Sequence, residues 1–142
     1  MFYSQELFNQ GIESLSKQIT DSGIKYNYIV GINRGGLIPA TVLSYKLGIP
    51  LKVITVQTYD DKVIEVNVPR HYVVTYNCLV VDDIIDSGRT LNVLLDKWQV
   101  RTMDVACLVY NQGQDEFAPT YKHLTIDKRQ DCSWVTFWWD CK

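Results

Sequence analysis

Three carboxylates and a turn of small residues are packed into one short stretch, Asp82-Asp83-Ile84-Ile85-Asp86-Ser87-Gly88-Arg89-Thr90. An aspartate can hold a cation, accept a hydrogen bond from a hydroxyl, or take a proton. The turn does the opposite kind of chemistry. Where Ser-Gly-Arg-Thr opens a helix, the first backbone N–H groups have no partner within the helix, and they and the dipole favour an anion such as phosphate. Carboxylates repel phosphate. Their partners are therefore sugar hydroxyls, a metal or a titratable base, and the ligand that calls for both halves is a phosphorylated ribose.

Two elements must position these groups. Cys78 to Val81 is an apolar run ending in acids, which predicts a buried parallel strand that delivers carboxylates to the C-terminal edge of a sheet. Ligands of open α/β sheets bind along that edge. A helix is predicted over 91–99. A second candidate stretch, Asn33-Arg34-Gly35-Gly36, follows a predicted strand at Tyr28 to Ile32 and precedes a helix from about Leu37 to Leu47. Its two glycines let backbone amides approach a ligand, and Arg34 adds a planar, permanently charged fork suited to phosphate. The spacing matches neither the dinucleotide fingerprint nor a P-loop. Pro39 falls in the first helical turn, where a missing N–H costs little, and Gly48 is a C-terminal stop.

The remaining elements complete an alternating α and β pattern. Residues 4–20 read as an amphipathic helix capped by Ser4, and Leu51 to Gln57 as a β-branched strand. Residues 58–70 turn polar and read as a mobile loop containing a hairpin, with Lys62 and Arg70 as its cations. Met103 to Tyr110 and Tyr121 to Ile126 are further strands. The stretch Trp134 to Asp140 is dense in aromatic residues, whose faces suit a core, a subunit interface or a stacked nucleobase.

With 142 residues, 46% hydrophobic and 21% charged, the chain suits one soluble domain spanning 1–142. No apolar run approaches the ~20 residues of a membrane span, and the N-terminus lacks the features of a signal peptide. A net charge of −2 offers no broad basic field for nucleic acid. A polyanionic substrate must then be held by local groups and a divalent metal. Cys78, Cys107, Cys132 and Cys141 fit no zinc pattern, and with no signal peptide they point to reduced thiols and a cytoplasmic protein. His71 and His123 are isolated and read as surface or strand-edge residues.

Val80 to Thr90 resembles the signature of the type I phosphoribosyltransferases: apolar strand, two acids, two apolar residues, Asp, Thr or Ser, Gly, any residue, Thr. Arg34-Gly35-Gly36-Leu37 is similar to the diphosphate-binding loop of the bacterial xanthine–guanine enzymes, and Trp134-Val135 with Trp139-Asp140 to their base-covering hood. The resemblance implies a three-layer α/β fold with a mostly parallel sheet of about five strands and a small C-terminal hood. It implies transfer of phosphoribosyl from phosphoribosyl diphosphate to a purine, with Mg²⁺, in purine salvage, by a homo-oligomer (dimer or tetramer).

On that resemblance Ser87, Gly88, Arg89 and Thr90 hold the 5′-phosphate. Asp82 and Asp83 bind the ribose hydroxyls, and Asp83 meets the metal directly or through water. Arg34, the Gly35-Gly36 amides and Lys62 of a flexible flap hold the diphosphate. Asp86 contacts both substrates and handles the purine proton, Trp134 stacks on the base, and the Val135 backbone meets its edge. One departure stands out. The family usually places a Lys after the fourth strand to contact the 6-oxo group, and here Asn111 follows that strand. Asn can donate or accept, so hypoxanthine or guanine is expected with weakened rejection of adenine. Two other classes remain: a non-catalytic regulatory module that binds nucleotide or diphosphate, and an interaction protein that oligomerises through its aromatic tail. A transferase for a different base is a third.

Overall fold

The computed structural model describes residues 1–59, 62–66 and 77–140; the side chains of 57–59 and 62–66 lie outside that description. In chain order the elements are β1 (Phe2–Tyr3), α1 (Gln5–Asp21), β2 (Tyr28–Asn33), α2 (Leu37–Leu47), β3 (Leu51–Tyr59), β4 (Lys62–Val66), β5 (Cys78–Ile85), α3 (Arg89–Trp98), β6 (Asp104–Asn111), β7 (Tyr121–Ile126) and β8 (Thr136–Phe137). Six strands form one sheet in the order β4-β3-β2-β5-β6-β7. Neighbours from β3 to β7 run parallel, and β4 pairs antiparallel with β3 at the edge.

Strand β5 shows why the sheet is covered on both faces. Its successive side chains alternate between two cores. Leu79 and Val81 join Phe8, Ile12 and Leu15 of α1 and Ala40 and Leu43 of α2. Cys78 and Val80 join Leu91, Leu94 and Trp98 of α3. A strand buried on both faces reads as a continuous apolar run, which is how Cys78 to Val81 appears in the sequence. Burial pushes the Cys78 thiol up to about 11, and raises that of Cys107 as well.

Local sequence sets the helix ends. Ser4 accepts from the Leu7 N–H at 3.1 Å and caps α1. Gly48 closes α2 at φ 68°, a left-handed conformation that suits glycine. Strand β1 is an addition to the expected elements. It pairs parallel with β8, placing Phe2 beside Thr136 and Tyr3 beside Phe137. Tyr3 is fully buried and its hydroxyl lies 2.9 Å from His123 Nδ1. His123 lies on β7, the edge strand, as expected, and is half-buried there against Tyr3. Arg70, His71 and Cys141 lie outside the described residues, as does most of the expected 58–70 loop beyond β3 and β4.

Candidate active site

Asp82 and Asp83 lie on β5 just past its last pairing with β2 at Val81, while β5 stays paired with β6 as far as Ile85. The β2 end turns through Asn33-Arg34-Gly35-Gly36 into α2, directly against β5. A Cβ on Gly36 would lie 2.5 Å from the Val81 carbonyl oxygen and 2.8 Å from that of Ile32. A Cβ on Gly35 would lie 2.0 Å from Asp83 Oδ2. The glycines therefore let this loop touch the backbone of β5 and the carboxylate of Asp83. Arg34 is exposed at the same turn.

Asp82 and Asp83 share an environment short of water. Burial is the leading cause that holds the Asp82 carboxyl well above the usual carboxylate range, followed by the charge of Asp83. Asp83 is raised too, first by burial and in smaller part by Asp140, against the pull of hydrogen bonds that include the Ile84 N–H at 2.8 Å. A cleft of about 600 Å³ opens over Asp83, lined by Arg34, Gly35, Trp134, Trp139 and Asp140 among others. Among the described residues no three His, Cys, Asp or Glu side chains cluster to cage a metal. The donors facing the cleft are oxygens, Asp83 and Asp140. That set suits Mg²⁺, which commonly takes one or two carboxylates and completes its shell with water and substrate phosphate oxygens.

The turn after β5 forms a separate cup of about 100 Å³, lined by Asp82 and residues 84–91. Gly88 caps α3 at φ 79°. Its α-carbon also packs close to the loop after β6, where an added Cβ would be 3.0 Å from Gln114 Oε1 and from the Phe117 nitrogen. The positive φ favours glycine, and the close packing leaves little room for a side chain. Beyond it the first turn of α3 presents its amides beside the Ser87 and Thr90 hydroxyls. Ser87 Oγ accepts from the Arg89 N–H at 3.3 Å.

The third part of the site lies on the far side of Asp86. Asn111, at the end of β6, is buried, and both ends of its carboxamide are used. Nδ2 donates to the Asp86 carbonyl at 3.2 Å and to Asp86 Oδ1 at 3.3 Å. Oδ1 accepts from the Gly113 N–H at 2.9 Å and the Lys128 N–H at 3.1 Å. Its side chain thus faces inward and braces Asp86, with both ends of the carboxamide already engaged. The side chain that approaches Asp86 from the open side is Lys128, whose Nζ lies 2.7 Å from Asp86 Oδ2. The same ammonium is 5.2 Å from the centre of the Trp134 ring.

Trp134 is 73% exposed and borders the cleft, as a stacking face must. Val135 turns its side chain into the core, leaving its main chain as the part available to a ligand. The other tail aromatics pack together, and Trp139 also lines the cleft. Phe137 and Trp139 stack with centroids 4.7 Å apart, and Trp138 meets Phe8 edge-on. Strand β4 begins at Lys62, whose side chain lies outside the described residues.

Sequence reasoning passed over Lys128. It stands in the run Asp127-Lys128-Arg129, of which only the Arg129 side chain is well exposed. Arg129 grips Asp127 through Nε and a terminal nitrogen at 3.0 and 2.7 Å and holds its carboxyl below the usual range. The one available signal was position: Lys128 is the second residue past β7, at the same sheet edge as the acids.

The phosphoribosyl transferase domain family matches residues 1–142. The chain belongs to this family. Among curated members it is 31% identical over 134 residues to the xanthine–guanine phosphoribosyltransferase of Cereibacter sphaeroides, covering 89% of this chain and 75% of that one. It is 28% identical over 122 residues to the enzyme of the same name from Idiomarina loihiensis, covering 82% and 72%. Among solved structures, the purine phosphoribosyltransferase of Pyrococcus horikoshii superposes with a TM-score of 0.77 at 27% identity, over 100% of this chain and 94% of that one. The family assignment agrees with the three-layer fold, its parallel sheet and the acidic edge.

Proposed function

We propose that the protein transfers the phosphoribosyl group of phosphoribosyl diphosphate to a 6-oxopurine, hypoxanthine, guanine or xanthine, and releases pyrophosphate. This is a purine-salvage reaction, and the proposal places it in the cytoplasm. One observation carries the reading: the anion cup of α3, the raised Asp82–Asp83 pair and the Gly35-Gly36 loop adjoin along one sheet edge, next to an exposed Trp. The curated relatives are named for xanthine and guanine, which supports the base class.

In this reading the 5′-phosphate sits in the cup between Ser87 and Thr90. Asp82 and Asp83 accept hydrogen bonds from the ribose hydroxyls, and the loop amides with Arg34 and Lys62 face the diphosphate. Mg²⁺, held by Asp83, would neutralise the leaving group. As the bond from C1′ to the diphosphate oxygen breaks, its electron pair leaves with the diphosphate and the ribose gains oxocarbenium character. The carboxylates favour that charge most where it develops, which is differential binding of the transition state. A ring nitrogen of the base then bonds to C1′. Its proton passes to Asp86, directly or by an orienting hydrogen bond. Trp134 covers the base and the Val135 main chain meets its edge.

The test is calorimetric titration with phosphoribosyl diphosphate, with and without Mg²⁺, followed by turnover on a panel of bases. Binding is expected only with the metal, with activity lost in excess chelator and restored by Mg²⁺. Full turnover in chelator, or no response to the diphosphate at all, would reject the reading. The latter outcome would favour the interaction protein.

A further inference from the structure

The pair between Lys128 and Asp86 places a cation on the very groups that the base is expected to meet. Its ammonium contacts Asp86 Oδ2 at 2.7 Å and lies 5.2 Å from the centre of the Trp134 ring. The Lys128 side chain is only 18% exposed, whereas Asp86 keeps 39%. This is no solvated surface pair. The main-chain N–H of Lys128 is tied to Asn111, and the same carboxamide holds Asp86. Asn111 therefore anchors both partners at their bases, while the lysine's four-carbon stem leaves its head free to swing. A base that slides over Trp134 and presents its N–H to Asp86 must share or displace that ammonium.

We propose that Lys128 is the specificity-determining residue of the base pocket, moving between two partners. Without base, its ammonium is held by Asp86 over the Trp134 face. With a base that bears an oxo group, one N–H moves from the carboxylate to that oxo acceptor, and Asp86 Oδ2 is opened to the base's ring N–H. An ammonium only donates. An amino substituent in the same place offers no comparable acceptor, so it cannot draw Lys128 away, and Asp86 stays engaged. Selection then acts on turnover as well as on binding, because the group that reads the base also covers the proton acceptor. The inference rests on the proposed function and reverses one expectation from the sequence. The donor-only cation that Asn111 does not supply comes instead from the turn after β7, so rejection of an aminopurine is restored.

The experiment compares the wild type with Lys128→Met and Lys128→Arg, at saturating phosphoribosyl diphosphate and Mg²⁺, on guanine, hypoxanthine and adenine. Met keeps the stem and removes the charge. It should lower kcat/KM for the oxopurines roughly 10–100-fold, the scale of a lost charge-assisted hydrogen bond, in kcat and KM together. Adenine should be unchanged or improved, and the KM for phosphoribosyl diphosphate should hold. Arg, also a donor-only cation, should retain most of the oxopurine preference. An unchanged ratio of guanine to adenine in Lys128→Met overturns the assignment. So does an equal loss on all bases, which is what a merely structural pair would produce, and so does an Arg variant that behaves like Met. A wild type that turns over no purine rejects the proposed function itself and this inference with it. A working wild type with any of the other adverse outcomes rejects the role of Lys128 alone.

Discussion

The proposed phosphate end and the proposed base end of the site are built in different ways. The phosphate end is made of backbone: two strand-to-helix turns, at 33–36 and 86–90, each contiguous in sequence and wedged against neighbouring main chain through glycine. The base end is made of side chains that arrive separately. Asp86 comes from the turn after β5, Asn111 from β6, Lys128 from the turn after β7 and Trp134 from the tail. Main chain wedged into a sheet tolerates almost no change of shape. A cluster of side chains can be retuned one residue at a time, at the cost of depending on every element that supports it.

The contrast can be broken most severely at the residue where the two ends meet. Asp86→Asn should cut turnover by ~10²–10⁴, the usual worth of a general acid–base, while affinity for phosphoribosyl diphosphate stays near normal. Near-normal kcat in steady-state assays would demote Asp86 to a turn residue. Next comes the rigid end. Gly36→Ala drives a methyl into the carbonyls of Val81 and Ile32, so β2 and β5 or the loop must shift. A displacement of ~1 Å is enough to lose roughly 10²-fold in activity, and overpacking costs about 1–3 kcal/mol of stability. Denaturant melts and kinetics together check both, and an alanine variant as stable and active as wild type would refute the wedge.

The adaptable end should respond more mildly and more selectively. Trp134→Ala removes an exposed ring, so stability should hold while the KM for base rises about 5–150-fold, from ~1–3 kcal/mol of stacking. Equal weakening of both substrates, or altered subunit association on gel filtration, would favour an interface role for that ring. The smallest effect sharpens the comparison through its supports. Burial lowers the His123 pKa from its ordinary value. The folded protein resists protonating this ring and the unfolded chain does not, so stability is full above the unfolded value of about 6.5 and declines as pH falls through it. Melting temperatures at pH 7.5 and 5.5 should therefore differ less for His123→Gln than for wild type. Parallel slopes in the two proteins would remove His123 from the account.

The same contrast explains what could be read before the structure. The parallel strands and the helices α1 to α3 appear as apolar patterns local in sequence, and their observed ends fall within about two residues of those expected, except that β5 runs four residues past Val81 to Ile85. The phosphate end was equally legible because Asp82 to Thr90 carries its acids, its glycine and its helix start in one line. Strand β1 escaped because two residues carry no periodicity, and its partner lies at the other end of the chain. Lys128 escaped because nothing local separates a lysine that pairs with Asp86 from one that faces water. Asn111 was found at the right strand end, but its direction was set by contacts to Gly113 and Lys128 that only the tertiary fold creates.

The pairing of β1 with β8 has a consequence for the order in which the molecule comes into being. Chains are synthesised from the N-terminus at roughly 5–20 residues per second, and domains begin to fold as they emerge. Strands β2 to β5 and helix α3 can dock once residue 98 is free, and β6 with the loop that packs on Gly88 follows by residue 117. Phe2 and Tyr3 must wait for Thr136 and Phe137. Closing so long a loop makes the hood a late step, by sequence separation as well as by synthesis. A nascent chain would thus hold the proposed anion cup for about a second or more before it had the hood proposed to recognise a base.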